Sequence, residues 1–266
     1  HEFYEKNLKL PNFFASLRRI IMNKTAIIIP SRLSAQRLPN KPLKLINNKE
    51  MILHVYEAAR NSNSGEVYVA TPDQKIIEVV KNFGGKAIMT ASSHKTGTDR
   101  VFEVFNETLD CKPEIIVNLQ GDMPNIDPKD IQSLINYMSQ GKCEIGTLAS
   151  EISSKADLDE QNIVKVLVKE TMKPGMFVKA LDFVRNDPKL DQKVYHHVGI
   201  YAFTNKALLR YVSLKRSELE LERNLEQLRA MDNNMSIHVG FINSSPLSVD
   251  TEKDFFEVKK LMEKNG

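Results

Sequence analysis

Three cations fall within ten residues of Pro30-Ser31-Arg32-Leu33-Ser34-Ala35-Gln36-Arg37-Leu38-Pro39-Asn40-Lys41-Pro42-Leu43: Arg32, Arg37 and Lys41. Guanidinium forks and an ammonium suit a polyphosphate. The stretch holds neither a GxGxxG dinucleotide turn nor a GxxxxGK[ST] loop, so side-chain charge would do the binding. A solvated basic loop fits the same charge count. Asp122, in Asn118-Leu119-Gln120-Gly121-Asp122-Met123-Pro124, is a carboxylate directly after an apolar run. Such a group can reach Mg²⁺, which takes one or two protein carboxylates and fills its octahedron with phosphate oxygens and water. Asp250, in Leu247-Ser248-Val249-Asp250-Thr251, is the candidate second ligand. Each has a plainer reading, Asp122 as a turn residue and Asp250 as a helix N-cap, and spacing does not separate them.

Ser93-His94-Lys95-Thr96-Gly97-Thr98-Asp99-Arg100 is small and polar and leads into a helix; it could hold a base or phosphate, or simply cap that helix. In His196-His197-Val198-Gly199-Ile200-Tyr201, strand alternation puts His197, Gly199 and Tyr201 on one face. A His and a Tyr so placed could recognise a hydroxylated anion, although a strand histidine is more often structural. Leu225-Glu226-Gln227-Leu228-Arg229 reads as part of a helix with a solvated Glu-rich face. There is no GxSxG elbow, and neither cysteine sits in an active-site context.

The elements that must position these groups are legible from their periodicity. Strands are expected over 25–30, 67–70, 86–90 and 114–119, and helices over 51–60, 76–83 and 99–109. Strand-then-helix units in a row imply an α/β fold, a mostly parallel twisted sheet with helices on both faces. In such sheets ligands gather beyond the carboxyl ends of the strands, where the loops above lie. Later strands over 144–152, 163–170, 196–203 and 236–242, helices over 205–212 and 218–232, and a last helix from Thr251 suggest a mixed-strand elaboration in the second half. Residues 24–266 read as a single domain. Residues 1–23 read as an N-terminal extension or a short amphipathic helix.

Composition narrows the class. Of 266 residues 41% are hydrophobic, enough for a core, and a net charge of +3 argues against a nucleic-acid binder. Cys111 and Cys143 make no CxxC pair, which disfavours a thiolate zinc site. No run of eighteen apolar residues would span a membrane, and the chain reads as soluble and cytoplasmic.

Together, IIIPSRLSAQRLPNKPL, HKTGTDR, IIVNLQGDMP, HHVGIYAF, LELERNLEQLR and SVDTEKDFFEV resemble the 3-deoxy-manno-octulosonate cytidylyltransferase (CMP-Kdo synthetase) family over about residues 24–264. The resemblance implies a nucleotide-diphospho-sugar transferase-like fold, CTP and Kdo as substrates, Mg²⁺ as cofactor and a homodimer. Residue by residue, it implies that Pro30, Ser31, Arg32, Lys41, Gly97, Thr98, Arg100 and Gln120 meet the nucleotide. It gives Asp122 and Asp250 the metal, and His197, Tyr201, Glu226 and Gln227 the sugar acid. Arg32, Lys41, Asp122 and Asp250 are the implied catalytic set. The chain departs from the family pattern at Asn40, where Gly is usual, at Met123, where Glu is usual, and at Phe177-Val178-Lys179-Ala180, where an aromatic-Ser-Arg segment is usual. Lys179 is the substitute cation there. A different acidic sugar, or a non-catalytic nucleotide-binding module, are the rival readings.

Overall fold

The computed structural model describes residues 24–34, 37–110, 112–152, 154–185, 193–244 and 246–264. The expectations for residues 1–23 and for Cys111 lie outside them. Strand β1 (Thr25–Pro30) leads through a 3₁₀ turn (Lys41–Leu43) and a small hairpin, β2 (Leu45–Ile46) and β3 (Lys49–Glu50), into α1 (Met51–Asn61). There follow β4 (Glu66–Thr71), α2 (Gln74–Asn82), β5 (Ala87–Met89), α3 (Gly97–Glu103), β6 (Ile115–Leu119) and α4 (Pro128–Met138). The second half runs β7 (Ile145–Ser150), α5 (Lys155–Asp159), β8 (Lys165–Val168), β9 (Phe177–Lys179), β10 (Asp182–Val184) and the long β11 (Lys193–Thr204). It closes with α6 (Asn205–Ser213), α7 (Glu218–Arg223), α8 (Gln227–Asp232), β12 (Ile237–Phe241) and α9 (Glu252–Lys264).

The main sheet runs β5-β4-β1-β6-β11-β7-β12-β9, with β8 on the other flank of β11 and β10 beyond it. The first four strands pair in parallel. β11 then enters antiparallel to both β6 and β7, which is the mixed elaboration. Every residue of β1 is buried, and its side chains divide by parity between two cores. Ile27 and Ile29 pack with Ile52 and Val55 of α1, Ile76 and Val80 of α2 and Ile131 and Leu134 of α4. Ala26 and Ile28 pack with Val101 of α3, Leu208 of α6 and Leu228 of α8. Helices therefore cover both faces.

The structure departs from the periodicity at several points. The helix expected over 99–109 starts at Gly97 and passes into a π-turn at Val104–Thr108. The helix expected over 218–232 is two, because Asn224 ends α7 in the left-handed region at φ 52°. Glu226 therefore precedes α8 instead of lying within a continuous helix. Helix α4, with Asp127 accepting from the amide of Lys129 and Pro128 in its first turn, is an added element. Strand β11 bulges between Val198 and Tyr201. The Thr147 hydroxyl fills the bulge by donating to the carbonyl of Ile200 at 2.7 Å.

Candidate active site

The loops after β1 and β6, the segment before α3 and the segment before α9 enclose an open cleft of about 560 Å³ beyond the carboxyl ends of the parallel strands. Its walls include Pro30, Ser31, Arg32, Lys41, Gly97, Arg100, Gln120, Asp122 and Asp250, so most of the residues singled out in the sequence meet at one site.

One end is built around Lys41. Asn40, at φ 57°, turns the chain through the left-handed region so that the 3₁₀ turn starts at Lys41. This conformation is natural to glycine and tolerable for asparagine, which accounts for Asn standing there. The Lys41 ammonium donates to the carbonyl of Val249 at 2.6 Å and lies 3.3 Å from Asp122 Oδ2 and 3.4 Å from Asp250 Oδ1. Arg37 reaches the other oxygen of Asp250 at 3.2 Å. The backbone closes the same knot, with the amide of Val249 donating to the carbonyl of Asp122 at 2.9 Å.

Asp122 does lie in a turn after β6, whereas Asp250 is not the cap of α9. The cap of α9 is Thr251, whose hydroxyl accepts from the amide of Asp254. Asp254 in turn accepts from the amides of Thr251 and Asp250. This reciprocal box satisfies the helix start and leaves the Asp250 carboxylate free to face Lys41. Burial pushes the Asp122 carboxyl above the usual range, Lys41 pulls it back and Asp250 adds to the rise. Met123, by contrast, is in the core at 2% exposure and offers the cleft no carboxylate.

The cleft floor and its far wall are polar. Ser31 is buried, and its Oγ has no hydrogen-bond partner among the described residues. A buried hydroxyl left unpaired at the wall of a cleft is an open donor and acceptor for whatever binds there. Arg32 is exposed at the rim. Asp73 anchors this loop by accepting from the amide of Leu33 at 2.8 Å. Arg100 is buried, and Nη1 is committed to the Thr90 hydroxyl and the carbonyl of Ala91, so part of its guanidinium holds the loop before α3 in place. Burial and the facing Arg32 pull its pKa down. His94 contacts Glu103 through Nε2, and both Glu103 oxygens accept from the amide of Ala91, a brace that spacing alone did not reveal.

The residues implied for the sugar acid lie behind this wall. Tyr201, Glu226 and Gln227 line a second cavity of about 20 Å³, room for about one water, and Thr98, implied for the nucleotide, lines this cavity and not the large cleft. Thr98 Oγ1 donates to Glu226 Oε2 at 2.9 Å. Burial raises the Glu226 carboxyl, and burial together with Glu226 raises the Tyr201 phenol. His197 and Tyr201 do share a face across the bulge, their rings 5.3 Å apart. His197 is packed against Phe183, and its Nε2 meets the Thr147 hydroxyl at 2.9 Å. Burial drives its pKa to about 3, so it is neutral and buttresses Tyr201 from inside the sheet. Lys179 stands opposite His238 on the edge strand β9 and lines neither cavity.

A switch-point cleft on a mostly parallel sheet, lined by cations facing paired carboxylates, defines an α/β nucleotidyltransferase. The cytidylyltransferase family model matches residues 26–237. Curated 3-deoxy-manno-octulosonate cytidylyltransferases from Bartonella quintana (strain Toulouse) and Brucella abortus (strain 2308) are each 39% identical, covering 90% and 91% of this chain and 98% and 97% of theirs. A solved CMP:2-keto-3-deoxy-manno-octonic acid synthetase complexed with CTP superposes with a TM-score of 0.82 at 38% identity, over 91% of this chain and 100% of that one. A 4-diphosphocytidyl-2C-methyl-D-erythritol synthase from Anaerococcus prevotii shares the fold, with a TM-score of 0.61 at 16% identity over 90% of this chain and 98% of that one. The chain belongs to the 3-deoxy-manno-octulosonate cytidylyltransferase family.

Proposed function

We propose that the chain transfers a cytidylyl group from CTP to 3-deoxy-D-manno-octulosonate, releasing pyrophosphate and giving the CMP-Kdo that lipopolysaccharide synthesis consumes. The observation that carries this reading is one ammonium, Lys41, reaching both Asp122 and Asp250 at the end of a cleft in a chain of this family. The anomeric hydroxyl attacks the α-phosphorus in line, and no covalent enzyme intermediate is required. Catalysis then rests on alignment and on neutralising phosphate charge.

Lys41 and Arg32 bind the departing pyrophosphate. Ser31, Gln120, Gly97 and Arg100 hold the nucleotide against Pro30. Tyr201, Glu226 and Gln227 part to orient the sugar acid, with His197 supporting Tyr201. Two carboxylates within reach of one small cation fit Mg²⁺, which otherwise keeps water and phosphate oxygens as ligands. Mg²⁺ held by Asp122 and Asp250 would polarise the α-phosphate and ease loss of the attacking proton. Residues 24–266 form the catalytic domain, working as a homodimer in the cytoplasm. No helix among the described residues is long and apolar enough to cross a membrane.

The test is pyrophosphate release with CTP, Mg²⁺ and Kdo, run beside other acidic sugars and other nucleoside triphosphates. Release with CTP and Kdo above every other pair is expected. CTP binding without release would make the protein a non-catalytic module, and preference for another sugar acid would reassign the acceptor.

A further inference from the structure

Asn118 is the one polar side chain in the apolar strand β6, and it is only 1% exposed. A buried amide costs stability unless its donors and acceptors are met, so its partners indicate what it is there for. Its Oδ1 accepts from Gln120 Nε2 at 2.9 Å, and its Nδ2 donates to Thr98 Oγ1 at 3.2 Å. The Thr98 hydroxyl then donates to Glu226 Oε2. The result is an unbroken chain, Gln120 to Asn118 to Thr98 to Glu226, that begins in the large cleft and ends in the small cavity. Asn118 also stands directly opposite Tyr201 in the β6–β11 register.

The polarity of the chain is fixed from one end. With Glu226 ionised its carboxylate only accepts, so the hydroxyl of Thr98 gives its proton to Glu226 and itself accepts from Asn118. Asn118 is then held with its carbonyl oxygen toward Gln120, and Gln120 is held with its amino group toward Asn118. Moving or neutralising Glu226 therefore reorients an amide in the nucleotide cleft, and turning Gln120 disturbs Glu226. Chains of this kind act as units rather than as a sum of pairs.

We propose that Asn118 is a positioning residue that couples the nucleotide cleft to the sugar-acid pocket, so that Gln120 and Glu226 respond to the two substrates together. This rests on the cytidylyl-transfer reading above and adds a linkage between its two sites, which by thermodynamic necessity is reciprocal in binding.

The experiment is a set of double-mutant cycles in the full chain, scored by pyrophosphate release and by KM for CTP and for Kdo separately. Gln120→Ala and Glu226→Gln are measured singly and together, first in the wild-type background and then with Thr98→Val, Thr98→Ser or Asn118→Ala. The expected result is that the combined loss in kcat/KM departs from the product of the single losses by about fivefold or more in the wild-type background. Thr98→Val and Asn118→Ala bring the two effects to independence within about twofold, and Thr98→Ser, which keeps the hydroxyl, retains the coupling. If Asn118→Ala fails to fold, the Thr98 pair decides alone. Independent effects in an active wild-type background, or coupling that survives Thr98→Val, overturn the relay and leave the activity standing. Absence of pyrophosphate release from CTP and Kdo in the unmutated chain removes both.

Discussion

The amide of Val249 donates to the carbonyl of Asp122 at 2.9 Å, joining the end of β6 to the approach to α9. That single bond sets Asp250 beside Asp122, and Lys41 locks it by binding the Val249 carbonyl. Two acidic residues far apart in sequence become one site because backbone groups, which must find partners when buried, find each other.

Lys41 is the most sensitive position in this arrangement. Lys41→Ala is expected to lower kcat by about 10²–10³ while the protein remains folded, the usual loss when one preorganised charge donor is removed. Lys41→Arg should restore little, since a planar fork does not occupy the place of a compact ammonium. Pyrophosphate release beside a circular-dichroism melt measures both halves.

Asp122→Asn should be nearly inactive yet no less stable without metal. Burial raises the Asp122 carboxyl above its ordinary value, with Asp250 adding to the rise and Lys41 opposing it. The folded protein thus holds this proton more tightly than the unfolded chain. The wild type therefore gains stability as pH falls through that raised value and loses it as pH rises. Asparagine does not titrate, so any advantage of the variant at about pH 7 should shrink toward about pH 4. Thermal unfolding in chelator across that range reads it, and an advantage that grows on acidification would contradict the assignment.

Asp250 and Thr251 divide two roles that one aspartate could have filled. Thr251→Ala should cost about 1 kcal/mol of stability through the lost cap of α9, with most activity kept. Asp250→Asn should do the reverse, a loss of kcat with little change in melting temperature. The pair of variants is compared by melting temperature and by rate on the same preparations.

Asn40 tests the backbone beneath the site. At φ 57° glycine should be accepted with no more than a small change, whereas Asn40→Val should cost about 1–2 kcal/mol and displace Lys41. A raised KM for CTP in Asn40→Val, absent in Asn40→Gly, is the expected signature.

Much of this was visible in the sequence, for reasons that differ by element. The apolar runs of β1 and β6 could only be buried strands, and their downstream loops carry Arg32, Lys41 and Asp122. Helix α7 and helix α8 looked continuous because Leu and Glu keep helical spacing across Asn224, and asparagine's tolerance of a left-handed turn leaves no mark in periodicity. The anchoring of Leu33 by Asp73 and the sealing of His197 against Thr147 and Phe183 depend on contacts between distant segments. Asp250 is a different case, since its freedom from capping comes from Thr251 and Asp254, a local Thr-x-x-Asp spacing that the sequence does carry. Periodicity reports which face is buried, not which polar group a buried face will meet.

The measurement that bears most directly on the site is a crystal grown with CTP and Mn²⁺ in place of Mg²⁺, read by anomalous scattering. The ion is expected between the carboxylates of Asp122 and Asp250, with the Lys41 ammonium on the triphosphate. Manganese bound elsewhere, with those two aspartates both unligated, would contradict the scheme.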